Sequence, residues 1–181
     1  MATLRAQSLA EGSNDASDIG GQHTITNRDV DAGGVLGNAI NLLGGEKVFG
    51  RHINSRLDVH DMIALGLPAV ALRILVGELP FLIEKEDLLS VAVGVSRESF
   101  YQYVGGPDVK LGVELSNRIW KFAETMASAS EVFGSKEEAL GWMALPAIGL
   151  DQRRPIDLFS TAAGQEVIEE YLTRIEYGVY T

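Results

Sequence analysis

Leu115, Ile119, Phe122, Met126, Ala129 and Phe133 recur in steps of four and three, the repeat of one face of a single long helix. A helix with such a stripe has to dock on other helices or on a second copy, so this run constrains the fold more than any other. Trp120 stands beside the stripe as a candidate anchor. Gly134 ends the run, and Ser135-Lys136-Glu137-Glu138 has the capping-box form that starts another helix. That helix is expected to reach about Leu145 before Pro146, with Trp142 and Met143 on its buried face.

The flanking segments repeat the pattern on a shorter scale. Val35, Leu36, Ala39, Leu42 and Leu43 predict a short amphipathic helix stopped by Gly44-Gly45. A helix starting near Asp58 and helices over 68–79, 84–93 and 97–104 follow, with Pro68 in a first turn and Gly77 and Pro80 as stops. After the loop of residues 146–155, Thr161 is the expected N-cap of a last helix ending at Gly178, with Ile168, Leu172 and Ile175 along one side. No alternating apolar run of useful length argues for a sheet, so the expected fold class is all-α. Residues 1–33 are rich in Gly, Ser, Asn, Asp and Thr without an apolar period, which predicts a flexible N-terminal arm. The expected division is therefore an arm over 1–33, a helical domain over 34–110 and a second over 111–181.

Composition removes several functions. The chain has no cysteine, which excludes disulfides, cysteine nucleophiles and cysteine zinc sites. Residues 1–21 lack an apolar export core, and the most apolar stretch, 61–83, is broken by Pro68, Arg73, Glu78 and Pro80. A cytoplasmic protein without membrane contact is expected. A net charge of −10 repels phosphate backbones at long range, so any DNA contact has to be local.

One segment could make that contact. The helices over 84–93 and 97–104 are separated by Gly94-Val95, with Ser96 as N-cap, which is helix-turn-helix spacing. Ser90 is small where the two helices would approach, and Val95, Phe100 and Tyr103 are apolar where the second would rest on the first. Arg97, Ser99, Tyr101 and Gln102 remain for the outer face, where Arg and Gln suit base edges and Ser96 and Ser99 suit phosphate. Residues 80–110 nevertheless hold three positive side chains, Lys85, Arg97 and Lys110, against five negative ones.

Catalytic constellations are missing from the sequence. His23, His52 and His60 do not form H-E-x-x-H, and there is no nucleophile elbow or Walker lysine. The glutamates at 84 and 86 and at 166, 169 and 170 fall on helices where solvated faces account for them. Neither an enzyme nor a cofactor is expected.

The C-terminal half carries a resemblance. Leu115-Ser116, Ala123, Glu131-Val132-Phe133-Gly134, Glu138-Ala139, Trp142, Pro146, Gly149-Leu150, Pro155-Ile156-Asp157-Leu158, Thr161-Ala162-Ala163-Gly164 and Arg174-Ile175-Glu176-Tyr177-Gly178-Val179-Tyr180 together closely resemble the toxin-binding domain of Xre/MbcA/ParS-type antitoxins. Gly66-Leu67-Pro68 and the segment around Gly94 resemble that family's Xre-like helix-turn-helix domain. Ala147-Ile148 and Asp151-Gln152 depart from the family's more usual asparagine- and glycine-bearing loop. The resemblance implies a homodimeric antitoxin that neutralises a RES-domain toxin, an NAD glycohydrolase or ADP-ribosyltransferase, by covering its NAD cleft, and that is able to repress its own operon by binding operator DNA. On this basis Arg153, Arg154, Arg174, Glu176, Tyr177, Val179, Tyr180 and Thr181 are the expected toxin-binding residues, the tail acting as a plug. The alternative is a DNA-binding regulator whose C-terminal region only dimerises.

Overall fold

The computed structural model describes residues 34–178 apart from 86, 107 and 108. The expected arm, and Val179, Tyr180 and Thr181, lie outside the described residues. The chain is all-α: no strand occurs among the described residues, and only two isolated bridges, Pro68–Lys110 and Ala147–Arg153, pair extended backbone. The helices are α1 (Val35–Leu42), α2 (Glu46–Phe49), α3 (Arg56–Ala64), α4 (Ala69–Glu78), α5 (Phe81–Glu84), α6 (Leu88–Val93), α7 (Arg97–Gly105), α8 (Val113–Phe133), α9 (Lys136–Ala144), α10 (Pro155–Leu158) and α11 (Ala162–Glu176). Among the described residues, no helix is long and apolar enough to cross a membrane.

Local chemistry sets most of the boundaries. Ser55, Ser96, Ser135 and Thr161 each accept a backbone N–H three residues on, which satisfies one of the orphan donors of a first turn. α8 stops at Gly134 in the left-handed conformation, and α11 at Tyr177 followed by Gly178.

The stripe on α8 lies in the core, but it is not narrow. Phe122, Ala123, Glu124, Thr125, Met126 and Ala127 are six consecutive buried residues, so mid-helix burial runs the whole way round. The reason is the surroundings: α1 lies along α8, α9 folds back on it, and α3, α6 and α11 close the remaining sides. Trp120 is buried in the same core. Ser116, also buried, accepts the Leu67 N–H at 2.9 Å and donates to the Leu111 carbonyl at 3.4 Å, which holds the start of α8 to the loop before α4.

Three expectations about the helix-turn-helix need correction. The helix expected over 84–93 is broken into α5 and α6, because Asp87 takes a left-handed backbone (φ 71°). Ser90 is exposed and Ala92 is buried instead, while α7 rests mainly on α4 rather than on α6. The turn itself is as expected, with Gly94 left-handed and Val95 and Phe100 buried.

A candidate interaction surface at the C-terminal end

The loop between α9 and α10 is tightly cross-braced. The Ala147 N–H donates to the Arg153 carbonyl at 3.0 Å, the Gln152 N–H returns to the Ala147 carbonyl at 3.0 Å, and residues Ile148–Leu150 form one 3₁₀ turn. Asp151 and Gln152 close it with φ of 53° and 60°. Left-handed backbone favours asparagine and glycine, yet Asp151 and Gln152 hold it where the closure of the loop requires it. Leu150 is buried beneath the loop, whereas Ile148 is 84% and Leu145 64% exposed. Ile148 therefore stands open to solvent on a firmly braced backbone.

The loop is seated by an aromatic stack. Tyr171 of α11 lies parallel to Trp142 of α9 with centroids 6.1 Å apart, and Trp142 in turn meets Phe133 at 5.1 Å. Gly149 lies against Tyr171, where an added Cβ would overlap the ring. Gly149→Ala is therefore expected to push the ring off Trp142 and to destabilise the fold by about 1–3 kcal/mol. Urea denaturation checks this, and an unchanged midpoint would show that the ring moves without consequence.

α11 carries the rest of the surface. Val167, Tyr171 and Arg174 fall on one helix face at spacings of four and three, the face that the 3₁₀ turn touches through Tyr171. The neighbouring face, with Ile168 and Leu172, is in the core. Charged pairs hold α11 in place. Lys121 of α8 bonds Glu169 at 2.6 Å and Glu124 at 3.4 Å, and Glu124 also pairs with Arg56 of α3. Burial pulls the Lys121 pKa down, but its hydrogen bond to Glu169 and the charges of Glu124 and Glu169 outweigh burial and leave it raised.

The expected toxin-binding residues fall into three groups. Arg153 is exposed at the loop's end, and Arg174, Glu176 and Tyr177 are exposed at the end of α11, with Tyr177 at 74%. Arg154 differs, because its guanidinium grips Asp157 through two bonds of 2.7 and 2.6 Å, a fork that also raises its pKa. Val179, Tyr180 and Thr181 lie outside the described residues. Sequence reasoning had not assigned Ile148, Leu145 or Tyr171 to this surface. The apolar Ile148 beside Gly149 was the signal available.

The residues expected to face DNA lie along α7. Ser96, Arg97, Tyr101 and Gln102 are exposed and Ser99 is half-buried. Ser96 and Ser99 spend part of their hydrogen-bonding capacity on the helix cap, and Arg97 donates to the Ile83 carbonyl, so its guanidinium would have to leave that carbonyl to read a base.

Residues 128–178, which include the loop, the aromatic stack and α11, match the model of the antitoxin Xre/MbcA/ParS C-terminal toxin-binding domain. The chain is 28% identical over 130 residues to an Antitoxin Xre of Yersinia enterocolitica serotype O:8 / biotype 1B, a match covering 65% of this chain and 88% of that protein. It is 31% identical over 96 residues to an Antitoxin Xre of Photorhabdus laumondii subsp. laumondii, covering 52% of this chain and 64% of the relative. The similarity centres on a helical C-terminal segment that matches a toxin-binding domain. In residues 128–178 the chain is similar to the Xre/MbcA/ParS antitoxins, and over a longer stretch to two proteins named Antitoxin Xre.

Proposed function

We propose that this chain is an antitoxin and that it neutralises a RES-domain toxin, an NAD glycohydrolase or ADP-ribosyltransferase, by laying the surface around Ile148 and the end of α11 over the toxin's NAD cleft. The observation that carries the reading is the coincidence of the matched domain with an exposed surface of Leu145, Ile148, Arg153, Arg174 and Tyr177. Aromatic side chains and arginine are the usual anchors of interfaces, and the arginines would pair with acids at the cleft rim while Glu176 approaches its cationic groups. The protein works in the cytoplasm as a non-enzymatic homodimer, with residues 34–110 as the helix-turn-helix domain, 111–181 as the toxin-binding domain, and α8 packed against helices of both. Operator binding through Ser96, Arg97, Ser99, Tyr101 and Gln102 adds autorepression. The test is co-purification with the product of the adjacent reading frame, followed by an NAD-consumption assay. The antitoxin alone should leave NAD intact and should suppress the toxin's turnover at equimolar ratio; a complex that still consumes NAD at the free rate would refute the cleft-covering mechanism.

A further inference from the structure

We propose that the open cavity between the helix-turn-helix turn and the start of α8 is a phosphate site, in which Arg118 takes a backbone phosphodiester of operator DNA. The choice of DNA as the source rests on the operator reading above; the site itself does not. The cavity holds about 420 Å³ and is lined by Gly94, Ser99, Tyr103, Gly112, Glu114 and Arg118, among others.

Arg118 is the centre of the argument. Its side chain crosses the turn so closely that a Cβ on Gly94 would stand 2.8 Å from Nε and 3.0 Å from Cζ, so Gly94 is required there by contact as well as by its φ of +78°. One bond holds the guanidinium, from Nη2 to the Val91 carbonyl at 3.3 Å. Nε is buried and has no partner among the described residues, and none of the ion pairs formed among them includes Arg118. Buried donors are normally satisfied, and a guanidinium fork matches the oxygens of a phosphate.

The walls supply further donors. α8 begins at Gly112 without a side-chain cap, which leaves its first-turn N–H groups open at this edge of the cavity. The Ser99 hydroxyl accepts from Ser96 at 3.0 Å and retains its own proton to give. Glu114 brings one negative charge to the rim. With Arg118 it makes the lining close to neutral, which favours a singly charged phosphodiester over a free phosphate dianion.

The experiment compares wild type, Arg118→Gln and Arg118→Lys. Binding of the duplex directly upstream of the protein's own reading frame is followed by fluorescence anisotropy over a range of salt, and thermal shift is measured with dimethyl phosphate and with inorganic phosphate. R118Q should weaken operator binding without changing sequence preference and lower the slope of log K against log salt by about 1. R118K should restore part of both. Dimethyl phosphate should raise the Tm of wild type more than inorganic phosphate does, and should not raise that of R118Q. An unchanged salt slope together with an unchanged phosphate response would overturn the proposal and leave Arg118 as a tie between the turn and α8. Phosphate protection that depends on Arg118 in a protein that binds no operator would overturn the DNA source, and would mark the failure as that of the operator reading.

Discussion

Removal of residues 174–181 is expected, on the proposed function, to abolish toxin neutralisation while leaving a folded protein of unchanged oligomeric state. The core contributions of α11 come from Gly164, Ile168 and Leu172, all upstream of the cut. Arg174, Glu176 and Tyr177 are exposed, and the one side-chain bond among these three is a weak 3.4 Å contact from Arg174 Nε to the Glu170 carbonyl. Stability should therefore fall little, whereas an interface that loses an arginine and its aromatic anchors loses the residues that usually dominate binding energy. Cells co-expressing toxin and the truncated chain should fail to grow, with far-UV circular dichroism and sedimentation showing unchanged helix content and oligomeric state. Full protection by the shortened chain would move the interface back to Ile148 and the loop, and the tail would not be a plug.

The largest stability effect is expected at Phe122. Its side chain is fully buried at the centre of α8 and meets Phe159, just after α10, edge-on at 5.0 Å and 72°. α10 touches α6, α9 and α11, so this contact is shared by elements from both halves of the chain. Phe122→Ala should cost about 3–5 kcal/mol, the transfer free energy of the ring plus the cavity it leaves. Against a total stability of roughly 5–15 kcal/mol that is enough to populate unfolded protein. Urea denaturation followed by circular dichroism measures it; a loss below about 1.5 kcal/mol would mean that the core closes over the gap and that α8 is not the fold's common support.

Much of this architecture could be read from residues three or four apart. The caps at Ser96, Ser135 and Thr161 and the stops at Gly94, Gly134 and Gly178 act within one turn, so the sequence places them nearly to the residue. The break at Asp87 could not be read, because residues 84–93 contain neither glycine nor proline, yet Asp87 takes a left-handed backbone between α5 and α6. The burial of Glu124 depends on Arg56, 68 positions earlier, and on Lys121. The stack of Trp142 on Tyr171 joins two helices across a loop, so neither residue announces it alone. Arg154 is a different case: Asp157 lies at i+3 from it, and that spacing was enough to foresee a fork rather than a free cation.

The central claim is that the toxin meets the 145–154 loop and the end of α11. Amide hydrogen exchange on the complex, compared with the free antitoxin, tests it directly. The account predicts new protection at residues 145–154 and 171–178, with α3 and α7 unchanged on toxin binding. Protection confined to α3, α4 or α7, with the loop exchanging as fast as in the free protein, would contradict it.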